Sequence, residues 1–224
     1  MFATISVRYD LLNHLLSGNM DKRWRRRIAR ELSKALPRGA QVLDVACGTG
    51  DLALTLFELL DARIVGADFC RPMLDIATGK AARIEASISF IEADALALPF
   101  RDCSFDAVTI AFGLRNLASV EDGLNELSRV LRPGGKAAIL EFSSPQLAGF
   151  RSGFKLYFTK LLPLLGGIVS GSRSAYEYLP DSVSRFPNQE RLASLMGAAG
   201  FEEVRYLNLT GGVAALHLGT RASS

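Results

Sequence analysis

From Gln41 onward, apolar runs of strand length alternate with stretches of helical period. The runs Gln41–Ala46, Arg63–Asp68, Ile88–Glu92, Phe105–Ala111 and Lys136–Phe142 are rich in Val, Ile, Leu or Ala and bordered by turn residues, the pattern of strands buried on both faces. Between them the spacing predicts helices over Asp51–Leu60, Arg71–Ala86 and Val120–Leu131. Pro72 sits in the first turn of the second helix, and Pro133-Gly134-Gly135 follows the third. Such alternation builds βαβ units and a parallel sheet. Further on, a helix near Asn188–Ala199 stops at Gly200, and the runs Glu203–Leu209 and Val213–Gly219, separated by Thr210-Gly211-Gly212, predict a β-hairpin closing the sheet edge. The fold class expected is α/β: a mostly parallel seven-stranded sheet with an antiparallel C-terminal hairpin and helices on both faces.

Two segments fall outside this rhythm. Residues 1–40 read as a helical cover, with Trp24, Ile28, Leu32 and Leu36 four apart on one face and arginines around the others. Residues 150–188 mix Phe154, Tyr157, Leu161 and Leu165 with Gly, Pro and Ser, as expected of a helical insert acting as a lid. No repeat is present, and 224 residues suffice for one core, so 1–224 is expected to be a single domain.

Composition narrows the function. Hydrophobic residues at 49% and charged ones at 22% exclude a disordered or fibrous chain. The longest apolar runs, such as Leu161–Val169, fall well short of the roughly 20 residues of a membrane span, and the opening MFATISVRYD lacks the pattern of a secretory signal. A cytoplasmic protein is expected. Three cysteines and two histidines offer neither a disulfide framework nor zinc spacing, so no metal is expected. A net charge of +3 does not point to nucleic acid, although residues 21–34 carry seven cations against two acids.

The candidate chemistry begins at VLDVACGTGDL, residues 42–52, where Gly48 and Gly50 follow the first strand and precede the first helix. Glycines there let the backbone pass close to a ligand at the carboxyl end of a strand; a tight turn is the bland alternative. Ala53 stands where a third glycine of the dinucleotide fingerprint is often found. The second strand ends in Asp68, whose carboxylate can accept both hydroxyls of a ribose or merely cap the helix after it. Asp94 follows the third strand within EADALALPF, where a loop reaches an adenine ring. Together the three positions predict one nucleotide crevice.

This order of elements resembles class I S-adenosylmethionine-dependent methyltransferases, whose fold is Rossmann-like. More closely, the chain resembles the quinone-biosynthesis C-methyltransferases, the demethylmenaquinone and 2-methoxy-polyprenyl-benzoquinol methyltransferase family. The segments YDLLNHLLSGNMDKRW (9–24), FGLRNL (112–117), RVLRPGGKAAILEFS (129–143), YEYLPDSVSRFP (176–187) and LTGGVAALHLG (209–219) carry the likeness. It implies S-adenosylmethionine as cofactor, bound by Gly48, Thr49, Gly50, Asp68, Phe69, Asp94, Ala95 and Ala111, with Tyr9, Asp10 and Asn13 in an amino-terminal cover. Three departures stand out: Asp21 where the family usually has histidine, Ala111 where a serine often lies, and Arg132 for a frequent lysine.

Methylating a ring carbon requires a nucleophilic carbon in line with the sulfonium methyl, and a phenolate is a far better nucleophile than a neutral quinol. Arg115 can stabilise that oxyanion, with an ion pair as its bland alternative, and Asn116 can orient substrate. For His217, within the last predicted strand, a satisfied structural role is expected. The expected activity is methylation of demethylmenaquinol, with the polyprenyl-benzoquinol as alternative acceptor. The expected partners are the lipid-soluble prenylated quinol and the inner face of the membrane, with a homodimer allowed and no nucleic acid. Two other readings compete with it: an RNA methyltransferase, supported only by the cations of residues 21–34, and a cofactor-binding protein without catalysis.

Overall fold

In the computed structural model the described residues are 19–143 and 182–223. Tyr9, Asp10, Asn13 and most of the expected lid lie outside them. The strands are β1 (Ala40–Val45), β2 (Ala62–Asp68), β3 (Ser89–Glu92), β4 (Phe105–Ala111), β5 (Leu131–Phe142), β6 (Phe201–Leu209) and β7 (Ala214–Arg221), and the helices are α1 (Met20–Leu32), α2 (Asp51–Leu59), α3 (Arg71–Arg83), α4 (Val120–Val130) and α5 (Gln189–Ala198). They form one seven-stranded sheet in the order β3-β2-β1-β4-β5-β7-β6. The first five strands are parallel, and β7 runs antiparallel to both β5 and β6.

Each face of the sheet carries its own apolar core. Trp24, Ile28 and Leu32 of α1 and Leu52 and Leu56 of α2 pack on Val42, Ala138, Leu140 and Leu216. On the other face Leu124 and Leu127 of α4 and Leu192 and Met196 of α5 cover Leu43, Val108, Ile110 and Ile139. Burial on both sides explains the mostly apolar runs of β1, β4 and the end of β5.

Two boundaries differ from the pattern by more than two residues. The strand expected at Lys136 begins at Leu131, which pairs with Phe105, and the register then jumps to Ala107 opposite Lys136. The Pro133-Gly134-Gly135 turn is thus a bulge within β5, thrown outward where residues 132–134 are exposed. Helix α3 stops at Arg83, before the expected Ala86, because Glu85 takes a left-handed φ of 54°. In the hairpin, β7 lies inside the sheet and β6 forms its edge.

Strand β1 stands between β2 and β4, so the winding reverses there. The helices following β1 and β4 diverge at that point and leave a crevice beyond the strands' carboxyl ends.

Candidate active site

The loop after β1 turns through left-handed residues: Ala46 (φ 51°), Gly48 (φ 55°) and Gly50 (φ 82°). Gly50 admits no side chain, since a Cβ would stand 2.9 Å from the Ala77 Cβ of α3 and 3.1 Å from the Phe90 ring. The Gly48 N–H donates to Asp68 Oδ2 at 2.8 Å, and the Cys70 N–H donates to Asp68 Oδ1 at 2.8 Å. Asp68 therefore ties the glycine loop to the start of α3, and its carboxylate keeps acceptor capacity beyond these bonds. Burial raises its pKa, opposed by the N–H groups of Cys70, Gly48 and Phe69.

A cavity of about 350 Å³ opens at this point, within the size range of small-molecule sites. Gly48, Asp68, Phe69, Asp94, Ala95, Ala111 and Asn116 all share its wall. The ends of β1, β2 and β3 meet there as the sequence pattern predicts. Asp94 Oδ1 accepts the Leu96 N–H at 2.9 Å, which shapes the loop after β3. Phe69 is 64% exposed and presents an aromatic face at the mouth. Met73, Leu96, Phe112 and Leu117 complete the apolar lining; as ordinary apolar residues they carried no signal in the sequence.

Thr49, Gly50 and Arg115 lie behind the wall rather than on it. Lys80 of α3 donates to Thr49 Oγ1 at 3.1 Å and to Asp51 Oδ1 at 2.7 Å. Arg25 of α1 reaches Asp51 at 3.2 Å and Asp21 at 2.7 Å. The first turn of α2, and with it the glycine loop, is held between cations from two other helices.

One acid escaped the sequence reading. Asp44, within β1, is 1% exposed; its Oδ1 accepts the Thr109 hydroxyl at 2.7 Å, and its Oδ2 has no hydrogen-bond partner. Burial pushes its pKa up to about 7, with the Asp68 charge adding to the rise, against Thr109's hydrogen bond and Arg25's charge. The signal was an acid inside a run of strand apolars, a placement that is costly without a purpose.

Arg115 lies in the 3₁₀ turn Leu114–Asn116 after β4. Its Nη1 donates to Glu141 Oε2 at 2.7 Å and to the Phe112 carbonyl at 2.6 Å, while its backbone N–H donates to Glu141 Oε1 at 3.1 Å. The two side chains are only 8% and 2% exposed, and the guanidinium lies 5.3 Å from the Phe142 ring centroid. Its Nε is buried without a partner. Asn116 Nδ2 donates to the same Phe112 carbonyl at 3.2 Å. The ion pair that was the bland alternative for Arg115 is thus formed, immediately behind Phe112 and Asn116. His217 is buried in β7, off the cavity, with Nε2 2.9 Å from the Gln189 carbonyl. Burial lowers its pKa, so the ring is neutral and Nε2 carries the donated proton, leaving Nδ1 without a partner.

Residues 1–221 match the ubiE/COQ5 methyltransferase family. The chain belongs to that family. It is 54% identical over 222 residues to a demethylmenaquinone methyltransferase of Thermus thermophilus, covering 99% of this chain and 100% of that protein. It is 44% identical over 225 residues to the ubiquinone/menaquinone biosynthesis C-methyltransferase UbiE of Geotalea uraniireducens, covering 99% and 94%. Among solved structures, a SAM-dependent methyltransferase from Aquifex aeolicus shares the fold, with a TM-score of 0.63 at 18% identity over 86% of this chain and 88% of that one. The ubiE/COQ5 protein described here is accordingly an S-adenosylmethionine-dependent methyltransferase on a class I fold. Its residues suit that cofactor: a carboxylate with acceptor capacity at the end of β2, a glycine backbone beside it, and an aromatic ring and a second acid on the same wall.

Proposed function

We propose that this protein transfers a methyl group from S-adenosylmethionine to a ring carbon of a prenylated quinol, with demethylmenaquinol as the principal acceptor. The observation that carries the reading is the 54% identity, across the whole length of both chains, to a protein named for that reaction. The name of the Geotalea relative supports a polyprenyl-benzoquinol as second acceptor. In this reading Asp68 accepts the ribose hydroxyls, Asp94, Ala95 and Phe69 surround the adenine, and the Gly48–Gly50 backbone with Thr49 and Ala111 borders the methionyl part.

When bound, S-adenosylmethionine supplies an electrophilic methyl group on sulfur. The chain's task is to hold the acceptor carbon in line with it, roughly 3 Å away, and to keep water out. The ring carbon gains reactivity when the quinol oxygen is ionised. Arg115, fixed by Glu141 and the Phe112 carbonyl, places its guanidinium behind the wall formed by Phe112 and Asn116, where Glu141 compensates part of its charge and little water screens the rest. Asn116, on the wall itself, orients the ring oxygen.

A prenyl tail partitions into lipid, so the enzyme meets its acceptor at a bilayer surface, on the cytoplasmic side. Among the described residues no helix is long and apolar enough to cross a membrane, and the reading accordingly has the enzyme meet the bilayer from its surface. The test incubates the purified protein with S-adenosylmethionine and reduced demethylmenaquinone, a reduced demethylated benzoquinone, or RNA. Mass spectrometry should find one added methylene on the naphthoquinol ring. Methylation of RNA with neither quinol modified would overturn the reading.

A further inference from the structure

Helix α1 carries more positive charge than its packing uses. Arg25 is spent on Asp21 and Asp51, and Arg27 and Lys34 both reach Glu31. Lys22, Arg23, Arg26 and Arg30 are exposed, and among the described residues none of them forms an ion pair with an acid. At about 100° per residue these four fall within about 100° of the helix circumference and span about 12 Å along it. Like charges at i, i+4, as in Lys22–Arg26–Arg30, repel and weaken a helix. The stripe therefore works against α1's own stability, and an anionic partner is what relieves it.

We infer that this stripe is the surface by which the protein docks on anionic phospholipid headgroups, an inference that rests on the proposed quinol substrate. Charge complementarity supports lipid as the occupant. So does the neighbouring α2: Leu59, 47% exposed, lines a shallow groove together with Arg26, Arg30, Ser33 and Glu58. Guanidinium groups beside an exposed leucine match a surface that offers phosphates at one depth and acyl chain just beneath. Single-stranded RNA would instead call for aromatic faces on which bases stack. The single aromatic of α1, Trp24, is 4% exposed, with its indole N–H on Thr210 at 2.9 Å. Trp24 also packs against Phe112 of the cavity wall, ring centroids 5.9 Å apart. The helix that carries the stripe thus packs, through Trp24, on a residue of the cavity wall.

The experiment compares the full chain with a Lys22→Gln/Arg26→Gln/Arg30→Gln variant in co-sedimentation with vesicles of pure phosphatidylcholine or of phosphatidylcholine mixed with phosphatidylglycerol. Each cation removed should weaken binding to the mixed vesicles about fivefold, the factor equivalent to about 1 kcal/mol per cation, so the triple variant should bind about a hundredfold more weakly. High salt should release the wild type, and neither protein should bind pure phosphatidylcholine. The variant should keep wild-type turnover on a short-tailed quinol in solution and lose turnover on a long-tailed quinol held in mixed vesicles. Equal binding of both proteins to the mixed vesicles, or tighter binding of the stripe to single-stranded RNA than to vesicles, would overturn the inference. Because sedimentation needs no acceptor, failure to methylate any quinol would count against the substrate alone.

Discussion

Replacing Glu141 by alanine would leave the Arg115 guanidinium buried with one carbonyl and two aromatic rings for company. Breaking a buried pair from one side is expensive because the surviving charge stays desolvated: about 3–5 kcal/mol is expected, and with 8% and 2% exposure little solvent is available to soften it. Removing both partners is different. An Arg115→Met/Glu141→Leu protein keeps the volume and strands no charge, losing only the acceptor of the backbone N–H at position 115, so it should be destabilised by about 1–2 kcal/mol, less than Glu141→Ala. If Arg115 serves only the fold, that double variant should also turn over normally. If its charge stabilises the phenolate, turnover should fall by roughly 10² to 10³ with cofactor affinity nearly unchanged. Urea unfolding followed by circular dichroism, together with kcat and KM on reduced demethylmenaquinone, separates the two contributions. A loss below about 1 kcal/mol for Glu141→Ala would refute the buried-charge reasoning, and wild-type turnover in the double variant would remove Arg115 from the reaction.

Three further outcomes follow from the same geometry. Asp68→Ala deletes the acceptor that faces the cavity and should weaken S-adenosylmethionine binding by about 2 kcal/mol, roughly thirtyfold, in calorimetry; a change under about threefold would detach Asp68 from the cofactor. Asp44 keeps its proton in the folded chain up to about pH 7 while the unfolded chain loses it near 3.8, so its contribution lowers stability as pH rises through that window; Tm measured from pH 4 to 8 should show this decline in wild type and not in Asp44→Asn. Gly50→Ala forces a methyl group into contact with Ala77 and Phe90 at a φ of 82° and should destabilise by about 2 kcal/mol, read as a lowered urea midpoint.

What could be read from the chain without coordinates was whatever one physical demand dominates. Strands β1, β2 and β4 are legible because burial on both faces leaves a mostly apolar run, and Gly48, Asp68 and Asp94 because polar or flexible residues stop those runs at one end of the sheet. Where two demands compete, the pattern misleads. Pro133-Gly134-Gly135 has the composition of a turn, yet Leu131 before it is already paired with Phe105. Asp44 is hidden because a single acid barely perturbs the period of β1. The partner of Arg115 was out of reach for another reason: Glu141 lies 26 positions on, and only the register of β4 against β5 brings the two together.

The placing of β7 between β5 and β6 also sets an order of events for the nascent chain. Among the described residues strand β6 borders no strand except β7, so it is translated before that sheet partner exists. Until residues 214–221 emerge, β5 must wait with one edge unpaired. That edge includes the buried, apolar stretch Ala137–Leu140, the kind of surface that recruits another strand if left open. Folding of this half of the sheet is therefore governed by its last-made strand, and a ribosome pausing within residues 201–213 would prolong the interval in which the protein is most prone to aggregate.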